Sequence, residues 1–199
     1  MRIKERSVQS REHTRKGILE AAMLVARKEG WNALSMRKIA DIIEYSVPVI
    51  YEHFTNKDAI LLELSRDGYR MLTRYMQSAS DQNILPEGKL EAMWLAYWDF
   101  AFAQKELYQL MFGVGMPCCE LRMSFIETEV PTQLIKNSIL DLMAKQNPGD
   151  DEISKKFYTF WSVAHGLVAI SLINKGVSDV LNLKILKHAI RGVIRILKD

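Results

Sequence analysis

The chain contains 199 residues, of which 48% are hydrophobic and 26% are charged, and its formal net charge is +3. This balance is typical of a soluble globular protein, and no segment reaches the roughly 18 consecutive apolar residues of a membrane span or resembles a signal peptide. The two cysteines, Cys118 and Cys119, are neighbours, which excludes an intrachain disulfide framework, so we expect reduced thiols and a cytoplasmic protein.

Apolar residues recur at helical spacing along the chain, whereas no stretch alternates apolar and polar residues as a half-buried strand does. We therefore predict an all-α fold. The first helix is predicted over residues 11–29 and ends before Gly30, a residue suited to the position that follows a helix. Ser35 is a good N-cap for a short second helix, which is predicted to end near Glu44.

A third helix, which is also short, is predicted next, because Ser46 can cap it and Pro48 lies in its first turn, where a missing N–H group matters least. Asn56 is the corresponding cap of a long fourth helix, predicted over residues 57–78. We expect this helix to connect two parts of the chain without a flexible linker. The predicted domains are residues 1–56 and residues 57–199.

The C-terminal part is predicted to form a helical bundle that is richer in aromatic residues and methionine than the N-terminal part. Pro131 falls inside the seventh predicted helix, so this helix is expected either to kink or to start late. The five helices predicted after the fourth cover residues 87–103, 106–112, 120–145, 151–174 and 179–197.

Two short helices that follow a supporting helix and precede a capped long one have the order of a tri-helical helix-turn-helix domain. The stretches LSMRKIA, SVPVIYEHF and NKD fill this order at residues 34–40, 46–54 and 56–58. They closely resemble the DNA-binding domain of the TetR family of repressors. Glu44 departs from the family pattern because glycine is common there, and the third helix opens with apolar residues where many members carry polar groups.

The resemblance implies that the outward face of the third helix enters the major groove of double-stranded operator DNA. Apolar groups there can read thymine methyls but not guanine acceptors, so Arg37 is expected to reach a base edge. Tyr51, His53 and Lys57 match positions that hold phosphates, while the two serines either donate to phosphate or only cap helices. The predicted DNA-binding residues are Ser35, Arg37, Ser46, Val47, Pro48, Val49, Tyr51, His53 and Lys57.

The charge distribution agrees with a nucleic-acid partner at the N-terminal end. Residues 1–38 contain ten Lys or Arg and four Glu, a net charge of +6, so the rest of the chain carries −3. A basic segment on an otherwise mildly acidic chain is typical of polyanion binding, and a solvated basic tail would give the same pattern.

Two stretches of the C-terminal part, residues 97–112 and 160–167, resemble a TetR subgroup named for its Trp-x-x-x-His-Gly signature. Trp161 and His165 lie one turn apart, which suits either a pocket wall or a packed core histidine beside a tryptophan. We predict a pocket for a small, mostly apolar effector, neutral or cationic, although most of these residues could instead only fill the core. The predicted lining is Trp94, Tyr97, Trp98, Phe102, Met111, Met116, Phe125, Phe157, Trp161 and His165.

These features predict a transcriptional regulator that an effector releases from a palindromic operator, with no cofactor and no bound metal. We expect a homodimer through the last two helices, because each subunit reads only one half-site. A transcriptional activator would use the same parts. An enzyme is disfavoured, since the chain lacks a phosphate-binding glycine loop, a nucleophile elbow and paired metal-ligand histidines.

A basic stripe on the last predicted helix leaves a membrane-surface protein as a further alternative. Cations near the C-terminus of a solvated helix explain the same stripe, so no membrane partner is predicted. The stripe consists of Lys187, Arg191, Arg195 and Lys198.

Overall fold

A computed structural model describes residues 2–113, 125–173 and 178–198, and this part of the chain contains nine α-helices and no strand. The all-α prediction is therefore confirmed. Short 3-10 segments follow α1, precede α7 and follow α7. The helices are α1 (Arg2–Glu29), α2 (Met36–Ile42), α3 (Val47–His53), α4 (Lys57–Asp81), α5 (Pro86–Ala103), α6 (Lys105–Phe112), α7 (Glu129–Met143), α8 (Asp150–Ile173) and α9 (Asp179–Lys198).

The largest differences from the predicted boundaries concern α1 and α7. Helix α1 begins at Arg2, nine residues before the predicted start at residue 11. Helix α7 begins at Glu129 after a 3-10 turn over Ile126–Thr128, so Pro131 lies in its first turn, where proline is tolerated. Of the two expected outcomes, a kink or a late start, the described residues show the late start. The predicted start near residue 120 lies outside the described residues.

Two of the three predicted N-caps form side-chain hydrogen bonds. The Ser35 hydroxyl accepts from the Lys38 backbone N–H at 3.2 Å, and the Asn56 side chain accepts from the Ala59 N–H at 2.8 Å.

The prediction that the Ser46 side chain caps α3 is wrong, although Ser46 does occupy the N-cap position. A cap side chain accepts from the second or third backbone N–H of the helix. Pro48 has no N–H group, and the Val49 N–H donates to the Ser46 backbone carbonyl at 3.0 Å. The Ser46 hydroxyl is therefore left exposed rather than engaged in a cap.

The chain divides into two compact units, Met1–Ser65 and Arg66–Asp199, so that α4 contributes residues to both. In the first unit α1 packs against α2, and α2 packs against α3. Each helix turns its apolar stripe inwards, and burial of such stripes is the main favourable contribution to folding. The most completely buried side chains of this unit are Ile18, Ala22, Ile39, Ile50 and Ile60.

Helix α5 is the centre of the second unit, because it packs against α6, α7, α8 and α9. It buries residues around most of its circumference, as a helix surrounded by others must. The inward face of α8 is narrow, since Trp161, Leu167, Ser171 and Leu172 are only half-buried. On α9, Ile194 is buried, whereas Ala189 and Val193 are half-buried.

Among the described residues, no helix is sufficiently long and apolar to cross a membrane.

Candidate functional site

The turn between α2 and α3 depends on a residue in the left-handed conformation. Glu44 has φ of 59°, and the Tyr45 N–H donates to the Ala40 carbonyl at 3.0 Å. With Ile43 as the C-cap of α2, this bond is the six-to-one bond of a Schellman motif. The turn therefore needs a positive φ at the position of Glu44, which is the physical reason why glycine suits it.

The exposed face of α3 is opposite to its buried residue Ile50 and to Phe54, which follows the helix. Pro48 and Tyr51 are exposed, and 52% of Tyr51 is accessible to solvent. Of the other predicted DNA-binding residues, Ser35, Arg37 and Ser46 are exposed, and Val47, Val49, His53 and Lys57 are half-buried. All nine lie in the first unit, on α2 and α3 or at the helix starts beside them.

Lys57 has a structural contact that the sequence did not suggest. Its Nζ donates to the backbone carbonyl of Trp31 at 3.1 Å, and so ties the start of α4 to the 3-10 turn after α1. The predicted phosphate contact would have to share the ammonium group with this carbonyl. An ammonium has three N–H donors, so the two contacts are compatible.

Arg15, on α1, holds the C-terminal end of α3. Its Nη1 donates to the His53 carbonyl at 3.3 Å, its Nη2 pairs with the Glu63 carboxylate at 3.1 Å, and its guanidinium lies 4.2 Å from the Phe54 ring centroid. Carbonyls at a helix C-terminus lack partners within the helix and favour cations. Arg15 thus fixes α3 to α1 and α4, a role that no local pattern in the sequence predicts.

Arg11 makes a parallel contact, since its Nη2 donates to the Glu52 carbonyl at 3.4 Å. The pKa of His53 is lowered chiefly by partial burial, which disfavours the charged imidazolium, and further by both arginines. Glu52 acts in the opposite direction and does not reverse the shift. At neutral pH the His53 imidazole is therefore uncharged in the free protein. The open depression around it is lined by Ser10, Arg11, Thr14, Val49, Glu52 and His53.

The second unit contains a cavity of about 40 Å³ whose walls come from α4, α5, α6, α7 and α8. Four predicted pocket residues line it, namely Trp94, Tyr97, Phe157 and Trp161. The other lining residues were not predicted from the sequence. They are Tyr69, Leu72, Met76, Phe112, Thr128, Pro131, Thr132 and Ile135.

Five of the predicted pocket residues lie elsewhere than on the walls of this cavity. Trp98 and Phe102 pack against each other, with ring centroids 4.6 Å apart. Met111 is fully buried, and Phe125 packs edge-on against Tyr69 at 5.9 Å. His165 lies behind the cavity wall. Aromatic content alone did not distinguish a lining residue from a core residue, and Met116 lies outside the described residues.

His165 belongs to a buried polar cluster with two tyrosines. Its Nδ1 is 2.6 Å from the Tyr108 hydroxyl and 3.1 Å from the Tyr97 hydroxyl, and the two hydroxyls are 2.8 Å apart. Burial raises the pKa of both tyrosines above the usual value, so both hydroxyls stay protonated. The imidazole also stacks on Trp161, with centroids 4.6 Å apart. His165 is therefore a packed histidine that orients two of the cavity-lining residues, Tyr97 and Trp161.

Trp94 contributes an unpaired hydrogen-bond donor. The residue is only 1% exposed, and its Nε1 has no hydrogen-bond partner in the part of the chain that the structure describes. Buried donors are almost always paired, so this N–H calls for an explanation.

The outer surfaces of α8 and α9 expose several large apolar side chains. Exposed apolar side chains of this size are typical of an interaction face where they form one patch. The exposed residues are Tyr158, Ile170, Val180, Leu181, Ile185 and Ile196. On the same helix pair, the predicted basic stripe is partly neutralised, because Arg191 pairs with Glu91 of α5 at 3.0 Å. The described residues contain no group of three or more His, Cys, Asp or Glu side chains placed to hold a metal ion.

The chain matches two family descriptions. Residues 18–64 match the bacterial regulatory proteins of the tetR family, and residues 90–179 match the tetracyclin repressor-like C-terminal domain. Over 162 residues the chain is 26% identical to the HTH-type transcriptional activator FasR of Mycolicibacterium smegmatis, an alignment that covers 81% of this chain and 70% of FasR.

Solved structures with the same fold cover nearly the whole chain. A protein of unknown function from Rhodococcus sp. RHA1 superposes with a TM-score of 0.77 at 21% identity, covering 93% of this chain and 95% of that protein. The repressor FadR of Thermus thermophilus, in complex with lauroyl-CoA, superposes with a TM-score of 0.63 at 18% identity, covering 92% of each chain.

Proposed function

Because the chain belongs to the TetR family of bacterial transcriptional regulators, we propose that it is a homodimeric repressor that binds a palindromic operator and is released by a small effector. One observation carries the DNA-binding part of this proposal. The short helix α3 has one exposed face, and its C-terminal end is held by Arg11 and Arg15 of α1. A recognition helix has to be held rigidly in this way to read base edges.

Arg37 is the residue to which we assign base reading. It is exposed on α2 and forms no ion pair with any other described residue, so its guanidinium is available to a guanine edge. The adjacent Lys38 has the same charge but pairs with Glu29 at 2.5 Å. Tyr51, His53 and the hydroxyl of Ser46 are assigned to phosphates, and Lys57 to a phosphate shared with its Trp31 contact.

The dimer follows from the geometry of operator recognition, since two recognition helices are needed to read two half-sites about one helical turn apart. The exposed apolar residues of α8 and α9 supply a face that two copies can share about a two-fold axis. A monomer at micromolar concentration by light scattering would contradict this part of the proposal.

Release of DNA requires that the effector bind the DNA-incompetent state more tightly than the DNA-competent state. We assign the effector site to the cavity of the second unit. Tyr69 of α4 lines this cavity, and its hydroxyl donates to the Met111 carbonyl of α6 at 3.4 Å. At Gly68 the Met111 side chain lies so close to α4 that an added Cβ would lie 2.5 Å from its sulfur. A change in the cavity therefore reaches α4, the helix that continues into the DNA-binding unit.

A transcriptional activator is the second candidate, because the relative FasR is an activator. It would use the same DNA-binding residues and the same dimer. The two candidates differ in the sign of the effect on transcription when the gene is deleted, and expression of the target genes would fall rather than rise for an activator.

The DNA-binding assignment is tested by selecting binding sites from a random pool and comparing Arg37→Ala with the matched variant Lys38→Ala. Arg37→Ala should weaken binding to the selected site by about 1–3 kcal/mol per half-site and weaken binding to random DNA much less. Lys38→Ala should lower both affinities slightly. Equal losses on both DNAs for Arg37→Ala would make it a phosphate contact, and a pool without any enriched palindrome would refute the operator-binding proposal.

Lys57→Ala provides a second comparison in the same assay. Because it is assigned to phosphate, it should weaken binding to selected and random DNA alike and reduce the salt dependence by about one counterion per subunit. The loss of the Trp31 contact should also lower the stability of the first unit. An unchanged salt dependence would mean that Lys57 acts only through Trp31.

A further inference from the structure

The walls of the cavity in the second unit are chemically uniform in one respect: among the described residues, no lining side chain carries a charge. Six of the lining residues are aromatic, so the walls are flat, polarisable and apolar. They are Tyr69, Trp94, Tyr97, Phe112, Phe157 and Trp161. Surfaces of this kind stack on planar apolar molecules at little entropic cost, because aromatic side chains have few rotatable bonds.

Two positive charges of the second unit lie near aromatic rings and are already engaged. Lys136 Nζ lies 5.8 Å from the Phe157 ring centroid and donates to the Ser154 hydroxyl at 3.0 Å. The Arg66 guanidinium lies 5.2 Å from the ring of Phe125. A cationic ligand would find no described carboxylate on the walls, and Lys136 beside the lining residue Phe157 would repel it. An anionic ligand would lose its hydration without gaining a lining cation, so the site favours an uncharged molecule.

The polar groups around the cavity differ in whether they have partners. The hydroxyls of Tyr97 and Tyr108 and the imidazole of His165 are hydrogen-bonded to one another, and the Thr128 hydroxyl donates to the Phe125 carbonyl at 2.8 Å. The Trp94 Nε1–H, in contrast, is buried without a partner among the described residues. Because an indole nitrogen can only donate, a ligand that satisfies it must supply an acceptor.

We propose that this cavity recognises an uncharged, planar apolar molecule with one hydrogen-bond acceptor, such as an aryl ketone, and that Trp94 donates to that acceptor. The inference rests on the proposed function only in placing the effector in this cavity. The cavity volume of about 40 Å³ is below the several hundred Å³ typical of ligand sites. The ligand is therefore small, about one ring in size. Its binding moves part of the cavity wall aside.

We assign this displacement to Trp161, one of the lining residues that are only half-buried. Its indole stacks on His165 with an angle of 9° between the rings, and His165 holds Tyr108 of α6. Displacement of Trp161 by a ligand ring would therefore disturb the hydrogen-bonded cluster that anchors α6.

The proposal is tested by calorimetric titration of the full-length protein with four probes that share a benzene ring. Acetophenone carries a carbonyl acceptor, ethylbenzene has none, benzyltrimethylammonium is cationic and benzoate is anionic. Acetophenone should bind about 3–10-fold more tightly than ethylbenzene, the gain expected from one net hydrogen bond, and both charged probes should bind more weakly than ethylbenzene. Equal affinities of acetophenone and ethylbenzene, or tighter binding of either charged probe, would overturn the proposal.

Two tryptophan variants locate the donor. Trp94→Phe keeps an aromatic ring but removes the Nε1–H, and should reduce the preference for acetophenone over ethylbenzene to about one-fold. Trp98→Phe removes a buried indole outside the cavity and should leave the preference unchanged. Retention of the preference in Trp94→Phe would exclude Trp94 as the donor.

A spectroscopic readout does not depend on the folding of a variant. In the wild-type protein labelled with nitrogen-15, acetophenone should shift the Trp94 indole N–H signal downfield, and ethylbenzene should not. Binding of no probe by a protein that still selects its operator would overturn this inference alone. Failure of the protein to select any operator would instead overturn the proposed function, whatever the probes do.

Discussion

Replacement of Glu44 by glycine should stabilise the first unit, because the turn between α2 and α3 holds this residue at φ of 59°. An L-residue in the left-handed region is disfavoured by about 1–2 kcal/mol relative to the right-handed helix. Glycine avoids this strain but loses about 0.5–1 kcal/mol more conformational entropy on folding. The Glu44 side chain is exposed, so the net expectation for Glu44→Gly is a gain of about 0.5–1 kcal/mol.

The matched control is Glu44→Ala, which removes the same carboxylate and keeps the Cβ. It should leave stability within about 0.5 kcal/mol of the wild type. Amide hydrogen exchange of α2 and of the turn, followed by mass spectrometry, reports the stability of this unit directly. Exchange of the Tyr45 amide should slow in the glycine variant, since this N–H donates to the Ala40 carbonyl. Equal protection in the two variants would refute the assignment of strain to the backbone of Glu44.

Three further predictions follow from contacts elsewhere in the chain. Arg15→Ala should destabilise the first unit by about 1–2 kcal/mol and weaken DNA binding, because the end of α3 loses its ion-pair and hydrogen-bond anchor; urea unfolding that matches the wild type would contradict this. Gly68→Ala should displace the buried Met111 side chain and lower the thermal midpoint, and its cost should be smaller when it is combined with Met111→Ala, so that the two losses are less than additive. The pKa of His53 is lowered from 6.5 in the free protein, and a phosphate contact would raise it. DNA binding should then take up a proton and strengthen as the pH falls from about 7.5 to about 5.5, more in the wild type than in His53→Gln. Parallel pH profiles of these two proteins would remove His53 from the interface.

The lowered pKa of His53 also sets the sign of its effect on folding. The folded state binds the proton less readily than the unfolded state, so the favourable contribution of the neutral imidazole is present above the unfolded pKa near 6.5 and is lost as the pH falls below it. Acidification should therefore lower the folding stability of the free protein, while it raises the affinity for DNA. A comparison of His53→Gln with the wild type in both assays separates these opposite effects.

Local signals in the sequence were sufficient for most of the helices and for the family. The caps at Ser35 and Asn56 were predictable because each depends on a backbone N–H only three residues away. The absent side-chain cap at Ser46 could also have been foreseen, since Pro48 removes one of the two N–H groups that a cap uses. The late start of α7 was one of two outcomes that Pro131 left open.

By itself the sequence determined the helical periodicity, the order of the short helices and the motif shared with the TetR family, because these depend on neighbours within a few positions. Only the tertiary structure decided that Arg15 holds the carbonyl of His53, 38 residues away, and that Lys57 holds Trp31, 26 residues away. The tertiary structure also decided which aromatic residues line the cavity, since Trp94 and Trp161 do, whereas Trp98 and Phe102 pack against each other elsewhere. An aromatic residue has the same periodicity whether it fills a core or lines a cavity, and only the packing of distant helices distinguishes the two.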